Sequence, residues 1–168
     1  RRGEEGSKKK GKGEGASTKW QKEGQEGREG TCKNGKRVGL WTWWHENGHK
    51  DEESTYKDGK LDGVRTIGWY ENGQKKREET YKDDESIGHW TRWHENGQKE
   101  SEGAYKAGKR DGLYTEWHEN GQKKSEGTYK AGERDGLWME CYENGEKRSE
   151  ETYKDGVSNV EWLSIFRR

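Results

Sequence analysis

Between residues 112 and 135 the chain alternates apolar and polar side chains, with Leu113, Thr115 and Trp117 set against Tyr114, Glu116 and His118. That period of two predicts a strand. The polar run Glu119-Asn120-Gly121-Gln122 follows, and then a second alternating stretch in which Ser125, Gly127 and Tyr129 are in phase. Asn-Gly between two such stretches predicts a tight two-residue hairpin with both central residues at positive φ. A looser glycine-containing turn over 131–136 leads onward.

The same pattern returns along the chain. Tyr129 has equivalents at Tyr56, Tyr81, Tyr105 and Tyr153, and Gly121 at Gly48, Gly73, Gly97 and Gly145, at intervals of 24 or 25 residues. Clear copies run 39–62, 63–87, 88–111, 112–135 and 136–159. A degenerate first copy starts at Gly15, where Cys32 stands in the tyrosine position. Self-similarity at this period marks a repeat array. One hairpin per copy, each joined to the next by a short turn, predicts an all-β fold: an elongated single-layer antiparallel β-meander of about six repeats. An extra residue near Ile67 and Gly68 reads as a β-bulge.

The organisation expected is a charged flexible lead-in over 1–14, the array over 15–159, and an apolar C-terminal segment over 160–168. Trp162 there falls in register with Trp138, so the segment reads as a capping strand or a docking tail for another protein.

Composition alone would suggest disorder. Leu, Ile, Val and Phe total 13 of 168 residues and 40% are charged, a balance typical of unfolded chains. The 10 Trp and 8 Tyr change that picture. Most fall in register with the repeat, and aromatic side chains bury much area each.

Net charge is zero, and each copy mixes signs, which excludes nucleic acid as a partner and argues against a membrane. Two cysteines four copies apart make no disulfide framework, and Cys141 reads as a packing residue. No apolar run reaches the ~20 residues a membrane helix needs, and no secretory leader is visible. These features predict a cytoplasmic protein, although a chain that begins with Arg1 leaves a processed or secreted form open.

Two aromatic rows follow from the pattern. Trp20, Trp44, Trp69, Trp93 and Trp117 are expected to pack with the tyrosines over small residues such as Gly103 and Gly127, making the core. The opposite row, Trp41, Trp90, Tyr114 and Trp138, interrupted by Arg65, is the candidate binding surface. Trp162 and Phe166 extend it. An uncovered aromatic row is a natural contact surface. His94 and His118 lie one repeat apart, about 10 Å, too far to hold one metal ion. Glu52-Glu53 and Glu78-Glu79 read as solvated strand charges. No catalytic constellation, metal or cofactor is implied.

The units GLYTEWHENGQKKSEGTYKAGERD and GLWTWWHENGHKDEESTYKDGKLD resemble MORN-type repeats, specifically a 24-residue bacterial variant often linked to toxin–antitoxin systems as the antitoxin component. The resemblance covers about residues 15–159. It implies a curved single sheet with aromatic ladders and a non-catalytic protein–protein scaffold, antitoxin-like or accessory to a complex. The alternatives are a carbohydrate-binding module with exposed Trp platforms and a membrane-associated MORN scaffold.

Overall fold

Among the described residues the strand connections are short hairpins, and two kinds of turn alternate between them. The computed structural model describes residues 15–20, 27–45 and 47–159, and divides into two units, Arg1–Glu85 and Ser86–Arg168. In the first, β1 (Gly15–Trp20), β2 (Gly27–Lys33), β3 (Lys36–Trp44), β4 (Lys50–Lys57), β5 (Lys60–Trp69) and β6 (Lys75–Lys82) lie side by side in chain order. In the second, β7 (Glu85–Trp93), β8 (Lys99–Lys106), the two-residue β9 (Lys109–Arg110), β10 (Gly112–Trp117), β11 (Lys123–Lys130), β12 (Glu133–Cys141), β13 (Lys147–Lys154) and β14 (Val157–Ser158) do the same, with β9 paired to β8. All pairings are antiparallel, and the described residues contain no helix. The fold is the predicted β-meander of repeated hairpins. The lead-in over 1–14 and the segment 160–168 lie outside the described residues.

The turn assignments are the reverse of those expected. At Glu119-Asn120-Gly121 only the glycine has positive φ (80°), and Gly121 N–H donates to the His118 carbonyl at 2.9 Å. This is the three-residue hairpin in which a type I turn is closed by one left-handed residue. The two-residue turns with both φ positive are instead the ones expected to be loose. They include Asp58-Gly59 (51°, 90°) and Ala131-Gly132 (51°, 97°). Asp84 takes the glycine position of one such turn at φ 72°, and its carboxylate accepts from Leu61 N–H at 2.7 Å. Asp tolerates the left-handed region because its short polar side chain bonds nearby backbone.

The recurring Asn and His residues join successive copies. Asn120 Oδ1 accepts from Gln122 N–H within its own turn, while its Nδ2 donates to the Glu143 carbonyl one copy on, at 2.9 and 2.8 Å. His118 Nε2 lies 3.0 Å from the Cys141 carbonyl and His94 Nε2 3.1 Å from that of Trp117.

Register decides which residues share a face. In β10–β11, Glu116 opposes Ser125 but Trp117 opposes Lys123, so Lys124 is an extra residue on the return strand. One extra residue reverses the facing of everything beyond it. Tyr129 therefore shares a face with Tyr114, not with Trp117. The same shift occurs at Trp44, Trp93 and Cys141. The insertion at Gly68 does the opposite of what was expected. Ile67 opposes Arg77 and Trp69 opposes Lys75, so Gly68 matches the extra residue of the return strand and the register runs on unshifted.

Candidate functional site

The reversed facing exchanges the roles expected of the two aromatic rows. Trp41, Trp90 and Trp138 are only 3–4% exposed and are the apolar core. Each lies against a glycine of a neighbouring strand. A Cβ at Gly30 would stand 2.2 Å from Trp41 Cδ2, one at Gly127 2.2 Å from Trp138 Cδ2, and one at Gly103 3.0 Å from Trp90 Nε1. Flat seating of an indole on bare backbone gives full burial in a sheet one layer thick. Two of the indole N–H groups donate to backbone: Trp41 Nε1 to the Thr31 carbonyl at 3.1 Å and Trp138 Nε1 to that of Thr128 at 3.2 Å.

Tyrosines fill the gaps between indoles. Tyr129 meets Trp138 edge-on at 5.1 Å between ring centres, and Tyr114 stacks on Trp138 at 5.8 Å. Tyr114 itself is half-buried. Where no glycine flanks the position, at Arg65 between Ser54 and Glu79, the indole is replaced by a guanidinium that pairs with Glu52 at 2.7 Å. Glu79 is buried, bonded to Arg77 and to the Tyr81 hydroxyl, so the Glu78-Glu79 pair is not the solvated charge expected. A carboxylate at this inward position is held by the adjacent cation and hydroxyl.

The platform expected at Trp41, Trp90 and Trp138 is therefore corrected to core. The glycines beneath and the arginine stems above cover it. Trp162 and Phe166 lie outside the described residues, as does the Trp20 side chain. On the other face Trp44, Trp69, Trp93 and Trp117 are only half-buried. Lys50 Nζ stands 5.7 Å above Trp69 and Lys99 Nζ 5.8 Å above Trp117. In phase with them, Leu40, Val64, Leu113 and Leu137 are 46–59% exposed at equivalent positions of their copies.

Above the core row lies a set of arginines that sequence reasoning passed over. Arg110 sits 5.5 Å from the Trp90 ring centre, 5.6 Å from Tyr114 and 5.2 Å from Tyr129, and donates to the Tyr129 hydroxyl at 3.2 Å. Arg134 sits 4.2 Å from Trp138 and donates to the Tyr153 hydroxyl at 3.1 Å. Arg37 repeats the arrangement in the first unit, over Trp41 and on to Tyr56. The signal was present in the sequence as an arginine four residues before three aromatics of this row: 37 and 41, 110 and 114, 134 and 138.

Beside Arg134 the second unit forms a cleft of about 290 Å³, lined among others by Glu116, His118, Lys124, Glu140 and Arg148. Burial raises the Glu116 carboxyl, but Lys124 at 2.7 Å, with the Tyr114 and Ser125 hydroxyls, outweighs it and leaves the group below its ordinary value. The Tyr114 hydroxyl is pushed up to about 12, first by burial and then by Glu116. Among the described residues no three His, Cys, Asp or Glu side chains gather as metal ligands. The cleft offers charge and hydrogen bonding of both signs.

Repeated β-hairpins side by side in an open sheet, with an aromatic core, define a β-hairpin repeat protein. The family model described as "MORN repeat variant" matches residues 37–58, 65–83, 87–107, 110–131 and 134–155. The chain belongs to the MORN repeat variant family. The degenerate first copy lies outside the matches. MORN repeats are non-enzymatic motifs that serve generally as protein- or membrane-binding scaffolds. No curated protein matches the chain. Among solved structures it is similar to a chain of the "Crystal structure of GtfA/B complex bound to UDP and GlcNAc", at 12% identity and a TM-score of 0.29. The match covers 76% of this chain and 24% of that one, a likeness that carries no argument about function.

Proposed function

We propose that this protein is a non-catalytic protein–protein interaction scaffold, whose contacts with its partner are made by the exposed Leu113 and Leu137 of the second unit. The observation that carries this reading is the exposure of apolar side chains at one register position, Leu113 and Leu137 here and Leu40 and Val64 in the first unit, with His89 taking that position in the copy 88–111. Leu113 and Leu137 in the second unit recur every two strands, about 10 Å apart. They stand opposite Thr128 and Thr152, whose methyl groups extend the apolar strip. Apolar side chains left in water at fixed spacing are suited to a protein surface of matching shape. The buried row supports the same choice, because the indoles on which a sugar-stacking platform would rest are covered. An antitoxin or complex-accessory role is the narrower form of this proposal, with a toxin or assembly subunit as partner.

The test is capture from native extract by wild-type protein and by the double variant L113E/L137E, with circular dichroism to show that both are folded. Loss of a specific companion protein from the variant alone is the expected result. A companion retained by both would overturn the assignment of this face.

A further inference from the structure

The chain carries equal numbers of basic and acidic residues, and on the second unit several lysines are paired with glutamates. Lys99, Lys123 and Lys147 each pair with the glutamate three residues on, and Lys124 pairs with Glu116. Arg110 and Arg134 are held differently. Neither forms an ion pair with a carboxylate among the described residues. Their partners are aromatic rings and tyrosine hydroxyls, and both remain partly exposed.

A guanidinium has five N–H donors in a fixed plane. Bonding to two tyrosine hydroxyls, Tyr129 and Tyr105 for Arg110 and Tyr153 and Tyr129 for Arg134, and stacking on rings hold the group in place while leaving further donors for a ligand. That is the condition for recognising a carboxylate at low entropic cost. The two groups occupy the same register in consecutive copies, Arg110 opposite Tyr105 and Arg134 opposite Tyr129, so they recur about 10 Å apart. Tyr114 and Tyr129 stand between them, ring against ring at 5.7 Å.

From this geometry we propose that Arg110, Tyr114, Tyr129 and Arg134 form a binding strip for an acidic peptide in the polyproline II conformation, with carboxylates three residues apart. Such a helix brings every third side chain to one side at about 9.3 Å (three residues at ~3.1 Å each), which matches the spacing of the arginines. An extended strand does not, because residues three apart face opposite ways. Rings lining the path suit the flat faces of proline, as in other aromatic-lined grooves that take this conformation. A dense polyanion is disfavoured, because Glu116 and Glu140 border the cleft beside Arg134. Two isolated carboxylates can avoid them where a continuous row of phosphates cannot.

This rests on the scaffold reading but uses the opposite face of the sheet, so the two fail separately. The test is fluorescence titration, following the indoles, of full-length protein with a synthetic peptide of Glu-Pro-Pro-Glu repeats. Controls are a peptide with Glu at every second position, a Lys-Pro-Pro-Lys peptide and inorganic polyphosphate. The expected result is saturable binding of the first peptide only. Affinity should fall about tenfold in R110Q and in R134Q, less in R134K, and should weaken as salt rises. If R110Q or R134Q does not fold, R134K and the spacing controls decide the matter. Equal binding of both acidic peptides, a preference for polyphosphate, or affinity unchanged in folded variants would overturn the proposal. If no peptide binds while L113E/L137E still loses its companion protein, the strip is refuted and the scaffold reading stands.

Discussion

The two faces of the second unit carry aromatic rows of the same period, yet one is the core and the other is half in water. Trp138 lies flat on Gly127 with Arg134 above it, whereas Trp117 has Lys99 reaching over it and the exposed Leu113 in phase beside it. What separates them is the neighbouring strand. A glycine opposite or beside an indole lets the ring descend onto backbone, and the guanidinium then closes the top. Threonines are the inward residues of the other face, among them Thr115, which is buried, and threonine offers no such seat. In a one-layer sheet the depth of an aromatic side chain is thus set by what lies beneath it.

The comparison predicts a large asymmetry in stability. Trp138→Ala should cost ~3 to 5 kcal/mol, the range for removing a fully buried large side chain. Trp117→Ala, starting half-exposed, should cost about half as much. Urea unfolding of the second unit, followed by circular dichroism, reads both. Equal losses, or a larger loss at Trp117, would show that depth does not distinguish the faces.

A second substitution tests the seat itself. In Gly127→Ala the new Cβ would stand 2.2 Å from Trp138 Cδ2, so the indole has to rise. Overpacking of this kind costs ~1 to 3 kcal/mol. Gly103→Ala meets only the edge of Trp90, at 3.0 Å from Nε1, and should cost less. The same unfolding measurement ranks them, and an inverted order would mean that the glycines serve the strand backbone rather than the rings.

The strands, the repeat and the number of hairpins could be read directly from the alternation and its period, because a strand's pattern is local. The faces could not. They depend on the extra residue at Lys124 and its equivalents, and a bulge has no marker in the alternation. Ser125, Gly127 and Tyr129 look in phase with Lys123, yet lie on the other face from it. The turns were misread for a related reason. Asn-Gly suits two hairpin geometries, and the one adopted is favoured here by the Asn120 amide reaching the next copy, a contact 23 residues away. Of the candidate binding residues, Trp41, Trp90 and Trp138 were in register as expected and wrong in depth. The arginines were legible as a recurring i and i+4 pairing with aromatics, but carried no meaning until the faces were known.

The smallest effect is confined to alkaline solution, and it probes burial without deleting a ring. Tyr114 occupies the same row as Trp138, and its hydroxyl is raised from 10.0 to about 12, by burial foremost and then by the Glu116 carboxylate. Between those two values the unfolded chain has released this proton and the folded chain has kept it. The native state then binds more protons than the unfolded one, so stability falls as pH rises through that window and is unaffected below it. Tyr114→Phe has no proton to lose. Its unfolding free energy should therefore decline less steeply than that of wild type above pH 10, although other tyrosines and the lysines titrate there in both proteins. Absorbance titrations of wild type and Tyr114→Phe should differ by one tyrosinate that forms only near pH 12. A Tyr114 that ionises together with the exposed tyrosines would mean that the face is open to water at this copy, and the contrast between the two rows would then hold only where a tryptophan sits on its glycine.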